Sequence, residues 1–239
     1  MGELVIGKGG ISARVLAHSI SIWGKEIVTF ELEYPRFIHA EFMTHRLFSR
    51  NCASSRAIPT KKMLSLIREK TAIPIFWGKN QVGMQAVEEC SEKIKWGGTQ
   101  AAPEEFWFTS MDMSLSLAGA FANAGYHKQI VNRLTEPFQM IKTVVTATEF
   151  TNFFHLRNHE AAQPELGELA RCMLEALSKS KPVLRVRGET VTETEYHLPY
   201  VSEEERHTLA LEDLIIISTA RCAAVSYRNE DYPLEKCKE

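Results

Sequence analysis

The densest reactive chemistry lies in one stretch, His45-Arg46-Leu47-Phe48-Ser49-Arg50-Asn51-Cys52-Ala53-Ser54-Ser55-Arg56. A predicted helix end carrying His and Arg leads into a polar loop with two more arginines, an asparagine and three serines. Guanidinium groups pair bidentately with phosphate, while hydroxyls and free backbone N–H groups complete an anion cradle. The stretch is therefore either a nucleotide-phosphate site or a solvated loop with an Arg–Glu network, and periodicity does not choose between them. Cys52 is either a nucleophile activated by the arginine charge or an inert thiol.

A second group follows from residue 150. On a predicted helix, Asn152, His155 and His159 share one stripe, and Phe150, Phe153 and Arg157 share another. An arginine on an aromatic stripe needs an anionic or polar partner, the alternative being an internal salt bridge to a glutamate. His155 and His159 stand at a spacing that can hold zinc, but no third ligand sits at a recognisable distance. Polar packing or ligand hydrogen bonding is the preferred reading, and no metal is expected. Gly2–Lys8 has the spacing of a phosphate-binding loop. Gly9 stands where its hydroxyl residue belongs, and no strand precedes it, so that reading is set aside.

The elements that position these groups follow from composition and pattern. The chain has 239 residues, 28 Lys+Arg against 30 Asp+Glu, and 44% apolar residues. That excludes disorder and predicts a single domain over 1–239 with a full-sized core. A charge of −2 argues against an electrostatic nucleic-acid partner. The absence of a long apolar run argues against a membrane partner. Five cysteines without a CxxC pair read as reduced thiols in a cytosolic compartment.

Residues 11–21 and 26–34 alternate about a Trp-Gly-Lys turn and predict an antiparallel hairpin. Pro35 is expected to open a helix reaching about residue 48, with an irregular loop over 50–59. Helices are expected over 61–70, 86–124 (broken near Gly97-Gly98 and restarted after Pro103), 127–134, 138–158 and 164–178. A strand is expected over 192–201, and Ser202 with Glu205 forms a capping box that opens a last helical region. The fold class is α+β, an antiparallel sheet with packed helices.

Thr44-His45-Arg46, seven residues, then Ser54 resembles the signature of flavin-dependent thymidylate synthases, Arg-His-Arg, seven residues, Ser. Ser49, Asn51 and Arg56 also match that family. A second block resembles it independently. It comprises Asn132-Arg133-Leu134-Thr135-Glu136-Pro137, Val144-Val145-Thr146, Asn152-Phe153-Phe154-His155-Leu156-Arg157 and Ala162-Gln163-Pro164-Glu165. The wording is most similar to divergent members encoded by phages, which places the protein in a bacterial or phage-infected cytosol.

The resemblance implies a flavin-dependent thymidylate synthase-like fold assembled as a homotetramer with sites at subunit interfaces. It implies methylation of dUMP to dTMP using methylene-tetrahydrofolate, FAD and NADPH. By position, Arg157 and Ser54 are the catalytic candidates. Arg46, Ser54, Ser55, Arg56, Arg133 and Arg157 would bind dUMP, and Thr44, His45, Arg46, Asn51, Asn152 and His159 would meet cofactor. Phe76, Trp77 and Lys79 either receive folate or form a packed surface loop.

Four departures accompany the likeness. Thr44 replaces the signature's first arginine, Cys52 an acidic residue, and Ala161 a histidine. The fourth is order: Ser218-Thr219-Ala220-Arg221-Cys222-Ala223-Ala224-Val225-Ser226-Tyr227 resembles an Ala-Arg-Val-Ser stretch that the family carries near its N-terminus. The family's Pro-Phe-Glu-His element is not found after it, so the C-terminal end is read as permuted or truncated. Two other functions stay open: flavin-dependent hydroxymethylation of dUMP, and non-redox binding of a pyrimidine nucleotide.

Overall fold

The computed structural model describes residues 2–186, 196–227 and 234–237. The strands are Val5–Ile6 (β1), Ser12–Ser21 (β2), Glu26–Pro35 (β3), Ser49–Cys52 (β4), Ile94–Trp96 (β5), Thr99–Ala101 (β6), Met140–Ala147 (β7) and Val183–Arg185 (β8). The helices are His39–Phe42 (α1), Thr60–Glu69 (α2), Pro103–Asn123 (α3), Lys128–Val131 (α4) and Thr151–Arg157 (α5). Pro164–Ser178 (α6), Glu203–Thr208 (α7), Leu211–Ala224 (α8) and Leu234–Cys237 (α9) complete them.

The main sheet runs β1-β2-β3-β7-β4, antiparallel throughout, with β8 added parallel to β2. This is the expected α+β class. The predicted hairpin forms as β2 and β3, and the alternation in β3 buries Phe30, Leu32 and Tyr34 completely. Helix α6 covers one face of the sheet with Leu166, Leu169 and Met173, all fully buried. Each such side chain contributes roughly 1.5–3 kcal/mol through its burial. On the other face, Val225 packs with Leu16 and Val144. Tyr200 also donates from its hydroxyl to Glu31 (2.5 Å).

Several expectations are corrected. The helix expected over 138–158 is the central strand β7 followed by the short α5. Its run Ile141, Thr143, Val144, Val145 and Thr146 is largely β-branched, which favours a strand. Because both faces of β7 are covered, the burial pattern loses the alternation that marks a half-exposed strand. Residues 86–102 hold the β5–β6 hairpin in place of the first part of the expected helix, while the helix restarts at Pro103 as expected. Gly97 and Gly98 have φ of 57° and 80°, as a two-residue hairpin turn requires.

Pro35 ends β3 opposite Met140, and the helix after it stops at Phe42 instead of reaching residue 48. The loop expected over 50–59 begins as β4, because β7 offers a free edge to a segment with little strand propensity of its own. Residues 192–195 lie outside the described residues, and 196–201 form no strand.

The helices expected over 61–70 and 164–178 are present as α2 and α6. The capping box also forms: Ser202 Oγ accepts from Glu205 N (3.2 Å), and Glu205 Oε2 accepts from Ser202 N (2.8 Å). Glu205 in turn receives both ends of the Arg221 guanidinium, tying α7 to α8. Lys8 N donates to Glu168 Oε1 (2.8 Å), so a carboxylate faces the supposed phosphate loop. Among the described residues no helix is long and apolar enough to cross a membrane.

Candidate active site

The two reactive stretches, far apart in sequence, meet at one hydrogen bond. Arg157 Nε donates to His45 Nε2 at 3.0 Å across 112 residues. Helix α5 buries Phe153 and Phe150 beneath it, and this directs Arg157, one turn beyond Phe153, toward the loop after α1. The His45 ring stands edge-on to Phe153 (4.8 Å between centroids) and stacks beside Phe48 (5.8 Å). Burial, then the charges of Arg157 and Arg50, hold the His45 imidazole below its ordinary pKa. It is therefore neutral at pH 7, with its proton on Nδ1 so that Nε2 can accept. Arg157 makes no ion pair with a carboxylate among the described residues, so the alternative of an internal glutamate bridge is not formed and its polar partner is His45. Its charge is oriented without being neutralised.

Beyond β4 the cradle residues divide into two groups. Ser54 and Arg56 line an open cleft of about 490 Å³ with His127, Lys128, Ser226 and Tyr227. Arg56 and Lys128 bring cations to it, and no carboxylate among the described residues lines it. Lys128 Nζ is held by Ala57 O (2.9 Å). Ser55 and Arg133 converge instead on Glu136, at 3.4 and 3.8 Å. Arg133 is 61% exposed, so this long ion pair holds it weakly and leaves it free to turn toward an anion.

Arg46 and the Asn152 side chain are exposed and have no partner among the described residues. Thr44 is turned back on its own turn, donating to Glu41 O (2.7 Å). His159 lies past the end of α5 and accepts from Ala161 N (3.0 Å). The helical spacing expected for His155 and His159 is therefore not formed. Cys52 is pushed above its ordinary pKa by burial, against the lowering effects of Thr143, Arg50 and Arg36. A thiol so held is a poor nucleophile at neutral pH. Trp77 packs edge-on against Trp107, as a packed loop would.

Asn51 has a different position from the one its spacing suggests. Its amide donates to Cys222 O (2.8 Å) and Ala223 O (3.2 Å), and its Oδ1 accepts from Ser226 Oγ (3.1 Å). Those carbonyls belong to the last turn of α8, where helix carbonyls lack backbone partners. Ser54 N also donates to Ser226 O (3.0 Å), so the signature loop and the end of α8 are latched together. Asn51→Ala should cost about 1–3 kcal/mol in urea unfolding. Asn51→Asp should cost more, because it loses both donors and sets a negative charge at a helix C-terminus. An aspartate variant as stable as the native chain would reject the latch.

Sequence reasoning missed His127, Lys128, Ser226 and Tyr227 as cleft residues. Only the Gly125 break before His127 hinted at a turned, exposed segment there, and the other pair was marked only by the resemblance of the stretch ending at Ser226 and Tyr227 to a family element.

No curated protein matches the chain at a significant level. The family model described as thymidylate synthase complementing protein matches residues 16–183. That span contains His45, Ser54, Arg56, Arg133 and Arg157, while Ser226 and Tyr227 lie beyond it. With well over half its length matched, the chain belongs to this family of flavin-dependent thymidylate synthases.

Proposed function

We propose that the protein methylates C5 of dUMP to give dTMP, with methylene-tetrahydrofolate as one-carbon donor and NADPH reducing a bound FAD. The observation that carries this reading is Arg157, a guanidinium oriented by a neutral histidine and matched by no carboxylate. Such a group can bind a uracil carbonyl and stabilise negative charge that grows on it as C5 becomes nucleophilic. No protein nucleophile is required for that step, which agrees with the raised pKa of Cys52. Ser54 and Arg56 hold the 5′-phosphate in the cleft, with Arg133 turning in from Glu136.

The residues present suit a flat, anionic cofactor. Arg46 and Asn152 have polar groups unengaged among the described residues, and Leu47 beside Arg46 is 71% exposed. His45, Arg46 and Asn152 would hold FAD, with Thr44 and His159 at its margin, while Asn51 is engaged at the end of α8 instead. When bound, the flavin supplies the hydride; the chain's own residues orient the nucleotide and polarise its ring. The Arg157 group and the phosphate cleft lie beyond opposite ends of β4. A homotetramer in which neighbouring copies complete each other's site is part of this reading, and light scattering tests it.

The decisive assay is complementation of a thymidine-requiring bacterial strain, expected to succeed. Failure, together with no FAD bound by the purified protein, would overturn the reading. Mass analysis of the product separates methylation from hydroxymethylation. Arg56→Ala and Arg133→Ala should each weaken dUMP binding by about 1.5–3 kcal/mol, as loss of a charge-assisted hydrogen bond does. Calorimetry showing native affinity in both variants would remove them from the phosphate site.

A further inference from the structure

We propose that Arg50 is a positioning residue: its guanidinium clasps the carbonyls of Met43, His45 and Phe48 and fixes the turn that presents His45 to Arg157. The proposal rests on the reading of His45 and Arg157 as the reactive pair, and it concerns a residue outside the arginines assigned above to dUMP or FAD.

The turn between α1 and β4 holds itself together poorly. Its backbone bonds are short-range, and the two that flank His45 are long: His45 N to Phe42 O at 3.3 Å and Phe48 N to His45 O at 3.4 Å. Arg50 supplies the missing ties from the adjoining strand. Nη1 donates to His45 O (2.7 Å) and Phe48 O (3.0 Å), and Nη2 donates to Met43 O (3.0 Å). Nε points to Met43 Sδ (2.9 Å). Four of its five N–H groups are thus used on one six-residue turn.

Pairing of Arg50 with Val145 in the β4–β7 ladder anchors the backbone from which this fork projects. No carboxylate among the described residues pairs with Arg50. Its bonding is therefore almost entirely to the turn, and its charge is left uncompensated beside His45.

The planar fork matters more than the charge. Three carbonyls spread over positions 43 to 48 can be bridged by two coplanar NH₂ groups and an Nε–H, but not by the compact head of a lysine. Around His45 the charged groups are Arg157 from α5 and Arg50 from β4, and both disfavour its protonation. Lysine at position 50 would keep the charge and lose the bridge, which separates the two roles.

The test is ¹⁵N NMR of histidine-labelled protein, with His45→Gln assigning the signal. In the native chain, Nε2 of His45 should be unprotonated and the ring should titrate below an ordinary histidine. In Arg50→Lys, the tautomers should mix and the midpoint should rise. The kcat for thymidylate formation should fall at least about tenfold, with dUMP KM changed less than about threefold. An unchanged tautomer and midpoint in Arg50→Lys would overturn the proposal.

If the lysine variant does not fold, Arg50→Gln is titrated with methylguanidinium and with methylammonium. Recovery of the Nε2 signature by methylguanidinium alone supports the clasp; equal recovery, or none, overturns it. The NMR readout requires no turnover. A His45 signal that responds as expected in a protein making no thymidylate would reject the proposed reaction and leave the clasp standing.

Discussion

Arg157→Ala should lower turnover by about 10²–10³-fold, the usual loss when one preorganised charge-stabilising donor is removed. The affinity for dUMP should fall far less, because phosphate contacts in the cleft remain. The expectation rests on how Arg157 is held. Nε is committed to His45 at 3.0 Å, and both terminal NH₂ groups have no partner among the described residues. A group anchored at one end and open at the other pays little reorganisation when charge develops on the substrate. An interaction made only in the transition state lowers kcat and kcat/KM together. Arg157→Lys should recover little, since one ammonium cannot both engage His45 and present a planar fork. Single-turnover kinetics with calorimetry on the same variants reads both quantities. Equal losses in binding and turnover would mean that Arg157 merely holds ground-state substrate.

The two halves of that contact differ in how legible they were. The composition of the signature loop and the arginine on an aromatic stripe both pointed to chemistry, and both residues lie at the site. Their pairing was not legible, because it depends on strand β7 placing α5 over the turn after α1. The strand itself was read as helix, since a strand covered on both faces shows no period-two pattern. Local signals did better. The β2–β3 hairpin carries its alternation on one half-exposed surface, and the Ser202–Glu205 box is closed within four residues.

Asn51 shows the opposite limit. Its place in the motif suggested a cofactor contact, yet its amide ends a helix 171 residues away. A carboxamide has the same donors for either task, so residue type alone cannot separate them. Arg50 was counted as one more cation of the cradle. Only the positions of three carbonyls reveal it as a tie within the turn.

Acid should destabilise the fold steeply between pH 6.5 and 4, chiefly through His197. This ring is enclosed between the sheet and the segment entering α7. Ser19 Oγ lies 2.9 Å from Nδ1 and Thr29 Oγ1 lies 2.7 Å from Nε2. Arg185 Nε donates to Ser19 Oγ, which frees the Ser19 hydroxyl proton for Nδ1. Nε2–H then donates to Thr29, whose own hydroxyl reaches Thr146 at 2.7 Å. The chain of bonds is complete with a neutral ring and has no place for a second proton.

Burial first, then Arg185, Arg206 and His18, holds the His197 pKa near 4, below its ordinary 6.5. The unfolded chain therefore binds a proton as pH falls through 6.5, while the folded chain resists until about 4. Stability is unaffected by this group above 6.5 and is lost progressively below it, by about 3–4 kcal/mol in total. His39, also held near 4 by burial and by Arg36 and Arg50, acts in the same direction. Urea unfolding at pH 7, 5.5 and 4.5 should show the decline, and His197→Gln should flatten it even where that variant is less stable overall. Hydrogen exchange should quicken first in residues 197–227, which the ring helps to seat on the sheet. A glutamine variant with the native slope would assign the acid sensitivity to other groups.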